Sequence, residues 1–173
     1  MLRKSYLLLM VLVSMATQLA AQQISKEELI FLTPEWKGER FDDGRPKVSD
    51  ALLERIKSVS VEEAWAVMKN EGYRYQIAED WKMINPDSVL VGRAVTATFM
   101  PGRPDVWKAI DDRGKAQGKR GQNTWPVDIL VKGDVYVADQ FGADKDGPTI
   151  GDNVGNAIFA KTGNGIVYDG ALR

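Results

Sequence analysis

From Gly133 onward the chain switches hydrophobic period twice within about 35 residues, and that switch restricts the fold more than any other feature. "DVYVAD" (134–139) reads as a strand, with Gly133-Asp134 as its leading turn. "QFGADKDGPTIG" (140–151) is a long glycine-rich loop. "DNVGNAIFAKTG" (152–163) is a short helix, capped by Asp152 and stopped at Gly163. "GIVYDG" (165–170) is a second strand. Strand, loop, helix, strand is a βαβ unit, so the two strands are expected to be parallel and the crossover right-handed.

In such a unit the C-terminal ends of the strands and the N-terminus of the helix share one edge. Asp139 ends the first strand, Asp169 ends the second, Gly151-Asp152-Asn153 begins the helix, and Arg173 follows one short turn later. The first N–H groups of a helix bind an anion such as a carboxylate. Gly151 allows close backbone approach, and Arg173 offers a bidentate fork to a second anionic oxygen. The carboxylates could orient a hydrated divalent cation that polarises a carbonyl and stabilises an enolate. Taken singly, Asp152 is equally an ordinary cap, Asp169-Gly170 an ordinary turn, and Asp139 an ordinary strand end. Their placement on one edge with Arg173 favours a site.

Composition narrows the chemistry. The 173 residues contain neither histidine nor cysteine, which removes Ser-His-Asp and Cys-His catalysis, most zinc sites and disulfides. Any metal would take oxygen ligands, which suits magnesium, manganese or calcium. "DKDG" (144–147) imitates the middle of an EF-hand loop. The flanking positions are Gly142 and Asn153 where carboxylates are required, so it reads as a loop.

Upstream, Arg3 and Lys4 precede "YLLLMVLV", and Ala20-Ala21 follow: a signal peptide over 1–21, with export to the periplasm or outside the cell. The apolar run is broken by Ser14, Thr17 and Gln18, too short for a span. Removing Arg3 and Lys4 from 23 basic residues leaves 21 against 24 acidic ones, a balance unlike a nucleic-acid binder. Residues 22–47 read as an extended lead-in with at most one short helix. Ser49 or Asp50 caps a helix over "ALLERIKSV" (51–59). Ser60 and Glu63 form a capping box before "VEEAWAVMKNEGY" (61–73), which stops at Gly72. "SVLVGRAVTATFMPG" (88–102) is a strand bent or bulged at Gly92. "PDVWKAIDDRGKAQGKRG" (104–121) begins as a helix and dissolves into a basic loop carrying Lys115, Lys119 and Arg120. That loop is either a solvated tip or an anion-binding device.

"KGDVYVAD" (132–139) followed by "GDNVGNAIFAKTGNGIVYDGALR" (151–173) resembles the signature of the RraA-like family. This family includes the regulator of ribonuclease activity A and the 4-hydroxy-4-methyl-2-oxoglutarate aldolases. "VSDALLERIKSVSVEEAWAVM" and "LVGRAVTATFMPG" resemble its opening helix pair and first strand, so the likeness covers about residues 46–173, with the domain placed at 48–173. The resemblance implies an α/β chain with a three-layer β/β/α swivelling-domain fold, assembled as a homotrimer or hexamer. It implies a class II lyase that releases pyruvate from a 4-hydroxy-2-oxo acid, with magnesium (or manganese) as cofactor and oxaloacetate decarboxylation as a companion activity. Carried over by motif, the backbone amides of Gly151, Asp152, Asn153 and Val154 hold the substrate carboxylate. Asp152 binds a metal-coordinated water, and Arg173 grips the oxo acid. The aldolase motif continues to an Asp after the Arg, a direct metal ligand, whereas the sequence stops at Arg173, so a truncated chain is expected. A protein-binding regulator without catalysis, or an inactive fragment, is the competing expectation.

Overall fold

The computed structural model describes residues 24–142 and 149–173. The segment expected to be a signal peptide (1–21) and "DKDG" lie outside the described residues. The chain divides into two compact units, one ending at Val48 and one spanning Ser49–Arg173.

In the first unit, helix α1 (Lys26–Leu32) is capped by Ser25, whose hydroxyl accepts from the Glu28 N–H at 3.1 Å. Arg40 ties the unit together by donating to Thr33 Oγ1, Thr33 O and Gly44 O, each at 2.8 Å.

The second unit opens with α2 (Asp50–Ile56), where Ser49 is the cap. It continues with α3 (Val61–Asn70), and here both halves of the Ser60–Glu63 capping box form. Strand β1 (Arg93–Thr98) follows, then α4 (Pro104–Ala116), a 3-10 turn (Gln122–Thr124) and α5 (Trp125–Asp128). The last third is β2 (Asp134–Asp139), α6 (Asp152–Thr162) and β3 (Ile166–Asp169). The three strands form one parallel sheet in the order β1-β2-β3. This is an α/β unit built on a small parallel sheet. Among the described residues no helix is long and apolar enough to cross a membrane.

Three local expectations are corrected. The strand expected over 88–102 starts only at Arg93. A side chain at Gly92 would come within 2.7 Å of the Gly133 carbonyl and 2.6 Å of Val135, so the backbone there is pressed against β2's leading turn. The helix expected to dissolve near Lys115 runs on to Ala116, placing Lys115 in its last turn, paired with Asp111 at 2.6 Å. It passes through Gly114 because the Trp125 ring occupies the space a side chain would need. Finally, α6 is capped by Gly151, and Asp152 is its first residue rather than its cap.

The core explains why the sheet edge carries the site. Val95, Tyr136 and Ala138 from the sheet meet Val127, Leu130, Ile150 and Ile158. On α6, Val154, Ile158 and Thr162 recur every four residues, and Ile158 is 1% exposed, so this stripe faces the core. The C-terminal end of α6 is tied to the opposite, N-terminal edge of the sheet. Thr162 O accepts from the Gly133 N–H at 2.9 Å, and Asn164 Nδ2 donates to Asp134 O and Val91 O, both at 3.1 Å. Gly163, in the left-handed region at φ +68°, ends the helix as expected.

Burial, reinforced by the charge of neighbouring Tyr168, pushes the Tyr136 phenol from 10.0 up to about 12. The neutral phenol is the form the fold favours, so this stabilisation is complete below the unfolded value of 10.0 and is lost as pH rises towards about 12. Stability is therefore expected to fall by roughly 2–3 kcal/mol across that alkaline window. Urea melts of Tyr136→Phe against the parent, at successive pH values, check this: the variant's decline should be shallower.

Candidate functional site

The C-terminal edge of the sheet is where the expected residues gather. Asp139 and Asp169 face each other in register at the ends of β2 and β3. The chain then crosses over them, with the Gln140 N–H donating to Asp169 O at 2.8 Å. Asp139 turns its carboxylate onto its own loop, where Oδ1 accepts from the Phe141 N–H at 2.7 Å. That bond accounts for Asp139 as a strand end and turn former.

Past β3 the backbone runs alongside the segment that feeds α6. Leu172 bridges Ile150 in parallel fashion, and the Arg173 N–H donates to Ile150 O at 3.3 Å. This brings Arg173 over the helix start. A methyl group placed on Gly151 would sit 3.4 Å from Arg173 Cγ and 3.5 Å from Nε. The glycine thus leaves room for the arginine to lie against the N-cap. Both Arg173 and Asp152 are exposed.

The first turn of α6 has N–H groups that lack intrahelical acceptors by geometry. One of them, on Asn153, is taken by Asp152 Oδ1 at 2.8 Å. Of the four amides expected to hold a carboxylate (Gly151, Asp152, Asn153 and Val154), Asn153's is therefore occupied by the helix's own acid. An incoming carboxylate must displace that bond or use its neighbours. What the arrangement offers is anion recognition: helix amides, the positive end of the helix dipole and a guanidinium.

A divalent cation is served less well. Among the described residues no three His, Cys, Asp or Glu side chains come together to hold a metal ion. Asp152 stands at the helix start, Asp139 is committed to its turn, and these residues do not make up a ligand set for magnesium or manganese.

Two parts of this edge escaped sequence reasoning. Thr149 and Asn123 hold the approach to α6 through contacts 19 and 26 residues apart. No local spacing signals such pairs. Lys119, singled out as part of a basic loop, stacks over the Trp125 ring at 5.5 Å from its centroid.

The model of the RraA-like family, described as Aldolase/RraA, matches residues 45–173. No curated protein and no solved structure matches the chain.

Proposed function

The chain belongs to the RraA-like family, and from that premise we propose that it is a lyase acting on 2-oxo acids. It cleaves a 4-hydroxy-2-oxo acid to pyruvate, and decarboxylates oxaloacetate as a companion activity. The observation that carries this reading is Arg173 lying against Gly151 at the start of α6. The substrate carboxylate accepts from amides of the first helical turn, displacing the Asp152 bond where it uses Asn153. Arg173 then reaches the 2-oxo oxygen beside it. As the 4-hydroxyl gives its proton to water and C4 becomes a carbonyl, the C3–C4 bond breaks and its electron pair passes into an enolate. The enolate takes a proton from solvent at C3 to give pyruvate. The oxygen that gains charge on the way is the one the guanidinium faces. Stabilising charge as it develops is where such a donor contributes most to rate. The reading carries with it the three-layer β/β/α arrangement, a trimeric or hexameric assembly, and export of the chain.

A non-catalytic binding protein is the second reading, favoured by the lack of a metal ligand set among the described residues. One assay separates the two. Pyruvate release from 4-hydroxy-4-methyl-2-oxoglutarate and from oxaloacetate is followed with added magnesium and with chelator. The lyase reading expects release above the enzyme-free blank with added magnesium, and the chelator arm reads out separately how far that release depends on a metal. Rates equal to the enzyme-free blank under both conditions would move the assignment to a binding protein.

A further inference from the structure

The side-chain hydrogen bonds that fasten the segment entering α6 converge on Thr149. Its hydroxyl shares a hydrogen bond with Tyr168 Oη at 2.7 Å. Its backbone N–H donates to Tyr168 Oη and to Gln140 Oε1, both at 3.3 Å. Its carbonyl accepts from Asn123 Nδ2 at 3.1 Å. Every polar group of Thr149 is engaged, and the partners come from three separate places: β3, the residue after β2, and the 3-10 turn. Gln140 is only 4% exposed. Ile150, the next residue, is also 4% exposed, and its carbonyl receives the Arg173 N–H. Gly151, the cap of α6, comes next.

We propose that Tyr168, Gln140 and Asn123 form a clamp on Thr149 that fixes both the start of α6 and Arg173 against the sheet edge. These are positioning residues: they act through Ile150 and Gly151 and need not touch a ligand. A connected polar cluster of this kind rigidifies what it holds, because leaving any member unpaired is costly. A binding constellation needs such support to keep its donors in place. The consequence for ligand binding rests on the reading of this edge as a carboxylate site. The clamp itself does not.

The test is Tyr168→Phe, which removes one oxygen and leaves the ring, with Thr149→Val and Thr149→Ser beside it. Two readouts are taken on the full chain. The first is amide hydrogen exchange at Arg173 and Gly155, which report the two sides of the helix start, with the Gly163 amide at the far end as internal control. The second is the affinity for pyruvate. Loss of the Tyr168 hydroxyl should speed exchange at Arg173 about five- to tenfold and leave Gly163 unchanged. Pyruvate affinity should fall by a similar factor. Thr149→Val should do the same, and Thr149→Ser should restore the parent behaviour. Unchanged exchange at Arg173 in both Tyr168→Phe and Thr149→Val would overturn the clamp. Faster exchange in a protein whose parent form binds no pyruvate would uphold the clamp and overturn the carboxylate reading.

Discussion

Replacing Arg173 by alanine is expected to weaken pyruvate binding about tenfold to thirtyfold while leaving the melting temperature unchanged. Hydrogen bonds involving a charged group contribute roughly 1.5–3 kcal/mol, and an exposed arginine belongs at the lower end of that range. The fold should not notice the change, because the structural bond at this position is made by the backbone: the Arg173 N–H donates to Ile150 O. Arg173→Lys should recover only part of the affinity, since an ammonium has the charge but not the planar fork. Calorimetric titration of pyruvate into the three proteins checks the order parent, lysine, alanine. Equal affinities would mean that the guanidinium takes no part.

The largest effect on stability is expected at the other edge of the sheet. Arg93 and Asp134 are register partners on β1 and β2, and Arg93 Nε donates to Asp134 Oδ1 at 3.0 Å. The aspartate is 0% exposed. Its second oxygen accepts from the Val131 N–H at 3.1 Å. The arginine also donates to Lys132 O and, at 3.1 Å, to Asp50 Oδ1 on α2. Removing one member of a buried pair leaves the other charge uncompensated, so Asp134→Ala should cost about 3–5 kcal/mol. Asp50 has 70% of its side chain exposed, and its bond to the same arginine belongs to the weak class. Asp50→Ala should therefore cost no more than about 1 kcal/mol. Urea unfolding of both variants decides between a buried keystone and a shared network. Equal losses would point to the network.

What the sequence made legible follows the range over which each signal acts. The Ser60–Glu63 capping box, the ends of β2 and β3 and the left-handed stop at Gly163 are set within a few residues, and they stand where local chemistry puts them. The errors arise where a distant contact overrides a local preference. The loop expected to carry Lys115 is still helix as far as Ala116, because Trp125 packs into the space of the missing Gly114 side chain. Gly92 reads as a bend or bulge within a strand, yet the approach of Gly133 and Val135 makes it the boundary. The turn expected at Gly133-Asp134 is present, with the Asp134 N–H donating to Val131 O at 3.1 Å, but no local signal announces the bond that Asp134 accepts from Arg93, 41 residues earlier. In the candidate site, the βαβ pattern sufficed to bring Asp139, Asp169, Gly151 and Arg173 to one edge. It could not show that Asp152 would bond the Asn153 amide, or that Thr149 would be held from three sides. Both depend on side-chain directions that spacing does not encode.

The most direct test of the central claim is a titration of pyruvate into isotopically labelled protein, following the backbone amides and the Arg173 guanidinium. Binding of a 2-oxo acid at the start of α6 predicts that Gly151, Asp152, Asn153 and Val154 shift together with Arg173, with Gly163 at the far end unmoved. No shift at these amides at millimolar pyruvate, or shifts confined to another part of the sheet, would contradict it.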